Sequence, residues 1–71
     1  MLIWPVVERC PQDVTGDDKL ILNIIINASN GNLGGLTVEK ITKYSQLDVK
    51  RVSDAINLLA EKMLIHVEEW V

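Results

Sequence analysis

Apolar residues recur at alternating steps of three and four between residues 48 and 62. The positions that share this ridge are Val49, Val52, Ile56, Leu59 and Met63. Such spacing places side chains along one side of an α-helix. Asp48 stands where an amino-terminal cap is expected. We therefore predict a helix over residues 48–62, with one side in the core and its polar side in solvent.

An earlier helical segment spans residues 17–30. Asp17 and Asp18 suit the positive amino end of a helix, and Gly31 suits the left-handed position after its carboxyl end. One narrow stripe is polar, formed by Lys19, Asn23, Asn27 and Asn30. The remaining apolar surface predicts a helix enclosed on most sides. The isoleucine-rich run also fits a buried strand, but its length and flanking residues favour the helix.

A short helix is predicted over residues 37–44. Thr37 is a good amino-terminal cap, and Val38, Ile41 and Tyr44 have helical spacing. Residues 45–47 then form a turn that leads into the helix of residues 48–62. The pattern therefore predicts two helices joined by a short turn.

The two ends of the chain, residues 1–8 and 64–71, are rich in β-branched and aromatic residues, which favours strands. Pro5 cannot donate to a sheet ladder, so it predicts an edge strand. A lone strand leaves both edges unpaired, and we therefore expect the two ends to pair with each other. The predicted fold class is mainly α with a small β-sheet (α+β), as a single domain over residues 1–71.

Composition narrows the possible functions. The chain has 71 residues, of which 48% are hydrophobic, and only one cysteine. Cys10 cannot form an internal disulfide, and Cys10 with His66 cannot complete a four-ligand zinc site. With one histidine and no Gly-x-Ser-x-Gly element, no nucleophile–base arrangement is visible. The glycine-rich residues 30–35 lack a P-loop lysine. We expect a binding protein that is not an enzyme, with no cofactor, no metal and no small-molecule substrate.

The most apolar stretch, residues 20–26, is interrupted by Asn23 and is far shorter than the roughly 20 residues of a membrane span. No basic run precedes the apolar residues 1–7, so no targeting signal is predicted. We therefore expect an intracellular protein, of the cytoplasm and nucleoid or of the nucleus, without a membrane partner.

Residues 47–65 (LDVKRVSDAINLLAEKMLI) resemble the recognition-helix segment of winged helix-turn-helix regulators of the MarR and ArsR-like kind. The matching positions are Val52, Ser53, Ile56, Leu59, Met63, Leu64 and Ile65. Residues 36–47 resemble the helix and turn before it, and the whole likeness covers residues 18–67. Met63 replaces the usual glycine before the wing, and the second wing strand is missing. We expect the amino-terminal strand to take that strand's place.

The resemblance implies a transcriptional regulator whose residues 48–62 enter the major groove of double-stranded DNA. The candidate contact residues are Lys40, Lys43, Tyr44, Lys50, Arg51, Ser53 and Asn57. Arg51 suits a guanine edge and Asn57 an adenine, whereas Lys50 and Ser53 suit phosphate. Lys40, Lys43 and Tyr44 would contact the DNA backbone. Alternatively, these side chains form only the solvated faces of two helices.

Charge leaves a second function open. The net charge is −3, although five of the seven basic residues lie within residues 36–62. Asp54, Glu68 and Glu69 are unfavourable near phosphate. Residues 19–65 are also similar to the carboxy-terminal winged helix of the replication protein A middle subunit, through residues 22–25, Gly35-Leu36 and the Ala55, Ile56, Leu59 spacing. That resemblance implies a protein-interaction module without DNA binding. In either case the apolar surplus favours a homodimer or another protein partner.

Overall fold

The computed structural model describes residues 2–29 and 36–68 of the chain. In chain order, the elements are β1 (Leu2–Pro5), α1 (Gly16–Ser29), α2 (Val38–Ser45), α3 (Val49–Glu61) and β2 (Ile65–Glu68). β1 and β2 form an antiparallel sheet. The prediction of a mainly α fold, with a small sheet made from the two ends of the chain, is therefore confirmed.

The helices begin and end within a residue of their predicted bounds. Thr37 caps α2 as expected, because its Oγ1 accepts a hydrogen bond of 3.2 Å from the Lys40 N–H. Asp48 holds the amino-terminal cap position of α3, but its side chain makes no capping hydrogen bond. The predicted cap Gly31, together with residue 30 of the first helix, lies outside the described residues.

Within the described residues, β1 ends three residues earlier and β2 begins one residue later than predicted. β1 ends at Pro5 because the backbone bends over residues 6–9. β2 begins at Ile65 because the Leu64 N–H still donates to the Leu59 carbonyl of α3, at 3.0 Å. Residues 1 and 69–71, which the sequence assigns to these strands, lie outside the described part of the chain.

β1 is an edge strand of a two-stranded sheet, as Pro5 predicts. On one side it pairs with β2, Ile3 opposite Val67 and Trp4 opposite His66. On the other side, Ile3 exchanges two hydrogen bonds of 2.9 Å with Leu36. Pro5 is tolerated because its nitrogen faces the Leu36 side, beyond that single bridge.

The core is apolar throughout the described residues, where no polar or charged side chain is buried. Its buried members come from every element and from two connecting segments: Ile3, Val14, Ile21, Leu22, Ile25, Leu36, Ile41, Val52, Ala55, Ile56, Leu59 and Ile65. Two members of the ridge predicted on α3 are not part of it, because Val49 is 62% and Met63 80% exposed. Both stand at the ends of the helix, where the chain leaves the core.

Met63 closes α3 in a backbone conformation that normally selects glycine. Its φ is +62°. Its N–H donates to Ala60 and the Leu64 N–H donates to Leu59, both at 3.0 Å, which is the Schellman arrangement at a helix end. The tight helix-to-strand turn therefore forms without the usual glycine. A side chain in this left-handed region costs about 1–2 kcal/mol.

We expect Met63→Gly to raise the free energy of unfolding by about 1 kcal/mol, because the left-handed strain disappears while little packing is lost. Urea denaturation followed by circular dichroism measures the change. Met63→Ala is the control, since alanine keeps the strain and should leave stability nearly unchanged. A destabilised Met63→Gly variant would show that the methionine side chain stabilises the turn.

Candidate nucleic-acid interface

α2 is attached to the core through one fully buried side chain, Ile41. Within α2, the Thr42 hydroxyl donates to the Val38 carbonyl at 2.7 Å, which satisfies a polar group on a half-buried face. The helix ends at Gln46, whose φ of 60° and ψ of 24° are left-handed. The chain therefore turns sharply between the two helices.

Ser45 stabilises this turn through two hydrogen bonds. Its hydroxyl donates to the Thr42 carbonyl and accepts from the Leu47 N–H, each at 3.3 Å. The Val52 N–H then donates to the Asp48 carbonyl at 2.9 Å, which marks the first turn of α3. Three residues, 46–48, thus separate the two helices, a turn length typical of a helix-turn-helix.

The candidate residues of α2 all reach solvent. Lys40 and Lys43 are exposed, and Tyr44 is 58% exposed. Lys40 and Tyr44 are four residues apart, so they lie on the same side of the helix. Lys43 lies nearly opposite the buried Ile41, whereas Tyr44, three residues after Ile41, lies at the border of the buried side. The structure therefore leaves these three side chains free to meet a partner.

On α3, the exposed side carries both signs of charge. Lys50, Asp54, Asn57 and Glu61 are exposed and follow one another at steps of four, three and four. Ser53 is only half-buried, so its hydroxyl remains accessible. One lysine therefore shares its helix side with two carboxylates, so these side chains carry a net charge of −1, which is unfavourable near phosphate.

Arg51 is held by an acidic partner from another helix. Its Nη2 lies 2.7 Å from Asp17 Oδ2, and its Nε donates to the same oxygen at 2.9 Å. The two side chains are 56% and 38% exposed, so the pair contributes only about 0.2–1 kcal/mol to stability. Sequence reasoning missed this contact because the partners are 34 positions apart and only the fold brings them together.

The outer face of the sheet presents an aromatic pair. The rings of Trp4 and His66 lie 5.7 Å apart, tilted by 30°. Trp70 lies outside the described residues. Cys10 is partly buried against the core and is not in a disulfide.

We find no metal site within residues 2–29 and 36–68. Within them, no three histidine, cysteine or carboxylate side chains gather into a metal site. None of the three helices described is long and apolar enough to cross a membrane. No protein-family model, curated protein or solved structure matches this chain.

Proposed function

We propose that the protein is a winged-helix DNA-binding protein and acts as a transcriptional regulator. The observation that supports this proposal is the succession of α2, a three-residue turn and α3, followed by a strand paired antiparallel with the amino-terminal strand. In this arrangement β1 supplies the second strand of the wing. α3 is then the helix that enters the major groove, and α2 lies across the DNA backbone.

Within this proposal, Lys50 is the main phosphate contact of α3, with Ser53 beside it and Asn57 one to two turns further along. Lys40, Lys43 and Tyr44 contact the backbone from α2 and set the register. Arg51 binds DNA only after it exchanges Asp17 for a phosphate or a guanine edge. Such an exchange is feasible because an exposed ion pair is weak.

The deciding experiment is fluorescence anisotropy with random-sequence duplex DNA at several salt concentrations. We expect a dissociation constant between about 1 and 100 micromolar at low salt, weakening steeply as salt rises. The Lys50→Glu/Arg51→Glu variant should lose at least about tenfold in affinity. Lys19→Glu/Lys62→Glu is the matched control, since both lysines are exposed and the net charge changes equally. No binding by the native protein at low salt would refute the proposal.

Asp17→Asn is expected to increase DNA affinity severalfold, because it releases Arg51 and removes a negative charge beside it. The slope of the logarithm of the binding constant against the logarithm of salt concentration should become steeper by about one, because one more phosphate is neutralised. Stability should fall by less than about 1 kcal/mol. Asp13→Asn is the control, since Asp13 is exposed in the loop before α1 and the net charge changes equally. Equal gains from both variants would show that Arg51 has no specific role.

A second function, a protein-interaction module, is favoured by two observations. First, the guanidinium of Arg51 on α3 is already paired with the Asp17 carboxylate. Second, large apolar side chains remain exposed near both ends of α3. Val49 is 62% and Met63 80% exposed, with Tyr44 of α2 at 58%. For this function, Val49→Ser should weaken partner binding, while Lys50→Glu should leave it intact.

A further inference from the structure

The outer edge of β2 has no strand beside it in the described part of the chain. The sheet order is β1–β2, and Leu36 pairs with β1 on the far side. Within residues 65–68 the β2 edge contains no proline and no bulge, two of the devices that protect exposed edges; it has two others, a length of only four residues and the charged Glu68. This edge is therefore open to a further strand.

The peptide groups on that edge can be identified from the hydrogen bonds. Ile3 directs its N–H and C=O to Leu36, so its pairing with Val67 is of the non-hydrogen-bonded type. The bond of 2.9 Å from the Val6 N–H to Leu64 fits the same alternation. Val67 consequently directs its own N–H and C=O away from β1, towards the open edge.

We infer that the occupant of this edge is β2 of a second copy of the chain, paired antiparallel about a two-fold axis at Val67. In that register Val67 faces Val67 of the second copy, and the outward N–H and C=O groups of both residues form a hydrogen-bonded pair. The product is a continuous four-stranded sheet, ordered β1–β2–β2–β1. Two identical strands meet, so the interface is self-complementary.

The polar side chains of β2 fit this register as hydrogen-bonding partners. His66 and Glu68 both lie on the outer face of the sheet and are exposed. The two-fold axis at Val67 places His66 opposite Glu68 of the second copy, and the converse pair forms at the other end. Trp4 already stacks on His66 at 5.7 Å, so each His66–Glu68 pair is flanked by an aromatic ring. An imidazole N–H can donate a hydrogen bond to a carboxylate, whereas like charges in that position repel.

The apolar side chains fit as well. The opposite face of the same sheet carries Ile3 and Val67, which pack towards the core, and the axis joins two Val67 side chains into one apolar row. A pair of β-branched residues across a ladder is stabilising. A register shifted by one residue that moves His66 opposite Val67 would lose both His66–Glu68 pairs. Side-chain pairing and backbone hydrogen bonding therefore select the same alignment.

Sedimentation equilibrium of the full chain, from about 1 micromolar to 1 millimolar, tests the dimer. The native protein should shift from its 8.0 kDa monomer to twice that mass as concentration rises. Val67→Pro should abolish the shift, since proline removes the N–H that faces the second copy but none that faces β1. Circular dichroism checks that the variant remains folded. A native protein that stays monomeric throughout would overturn the inference.

Charge exchange gives a second, independent test that does not rely on proline. His66→Glu should weaken dimerisation by about tenfold, because it creates two like-charge pairs. The double variant His66→Glu/Glu68→Lys should restore the dimer, since each introduced glutamate then faces an introduced lysine of the second copy. A dimer that survives His66→Glu, or one that the double variant fails to restore, would place the contact elsewhere and overturn the inference. The dimer needs no DNA, so its failure and that of DNA binding are distinguishable.

Discussion

Ile3→Ala is expected to lower the free energy of unfolding by about 2–5 kcal/mol. Ile3 is fully buried and is the position where β1 meets both Leu36 and β2. Alanine would leave a cavity at the position where β1 contacts both of its neighbours. A domain of this size has roughly 4–10 kcal/mol of stability in total, so the variant loses a large share of it.

Val6→Ala is the control for this prediction. Val6 lies just after β1, also pairs with the β2 side, and is 60% exposed, so truncating it should cost less than about 0.5 kcal/mol. Urea denaturation of both variants gives the comparison. If Ile3→Ala is no more destabilised than Val6→Ala, then the amino-terminal strand does not belong to the core. The proposal that β1 supplies the second strand of the wing would then be refuted.

The helices were predictable because their signals are local. The three-and-four spacing of Val52, Ile56 and Leu59 is enough to define the buried side of α3, and all three are buried. The pattern extended too far at both ends, to Val49 and Met63, because periodicity cannot tell where a helix leaves the core. The cap at Thr37 was predictable for the same local reason, since it depends on the next three residues only.

Strand pairing was predictable only in part. The unpaired edges of two apolar ends favoured their pairing, and β1 does pair with β2. The second partner of β1, Leu36, gave no signal, because a single bridge has neither length nor alternation. The sequence therefore placed β1 correctly at a sheet edge but missed its contact with Leu36. The candidate interface was likewise predictable only where it depends on local sequence. Lys40, Lys43 and Lys50 are exposed as expected, but the ion pair between Asp17 and Arg51 depends on tertiary structure.

Ile41→Ala is the second prediction with a large effect, about 2–5 kcal/mol of lost stability. α2 has only eight residues, and an isolated helix shorter than about 12 residues is marginal in water. Ile41 is the buried residue that attaches it to the core. Without that contact α2 should loosen before the rest of the domain unfolds, because its own hydrogen bonds cannot hold it.

Amide hydrogen exchange distinguishes this local effect from general destabilisation. In Ile41→Ala the Gln46 N–H, bonded to Thr42 at 2.9 Å, should exchange at least about tenfold faster relative to the amides of α1. Tyr44→Ala, on the same helix but 58% exposed, should leave the exchange of α2 unchanged. Uniform acceleration across α1, α2 and α3 would instead mean that α2 unfolds only with the whole domain. Since α2 and its turn direct α3, selective loosening should also reduce DNA affinity, which ties the packing of one isoleucine to the proposed function.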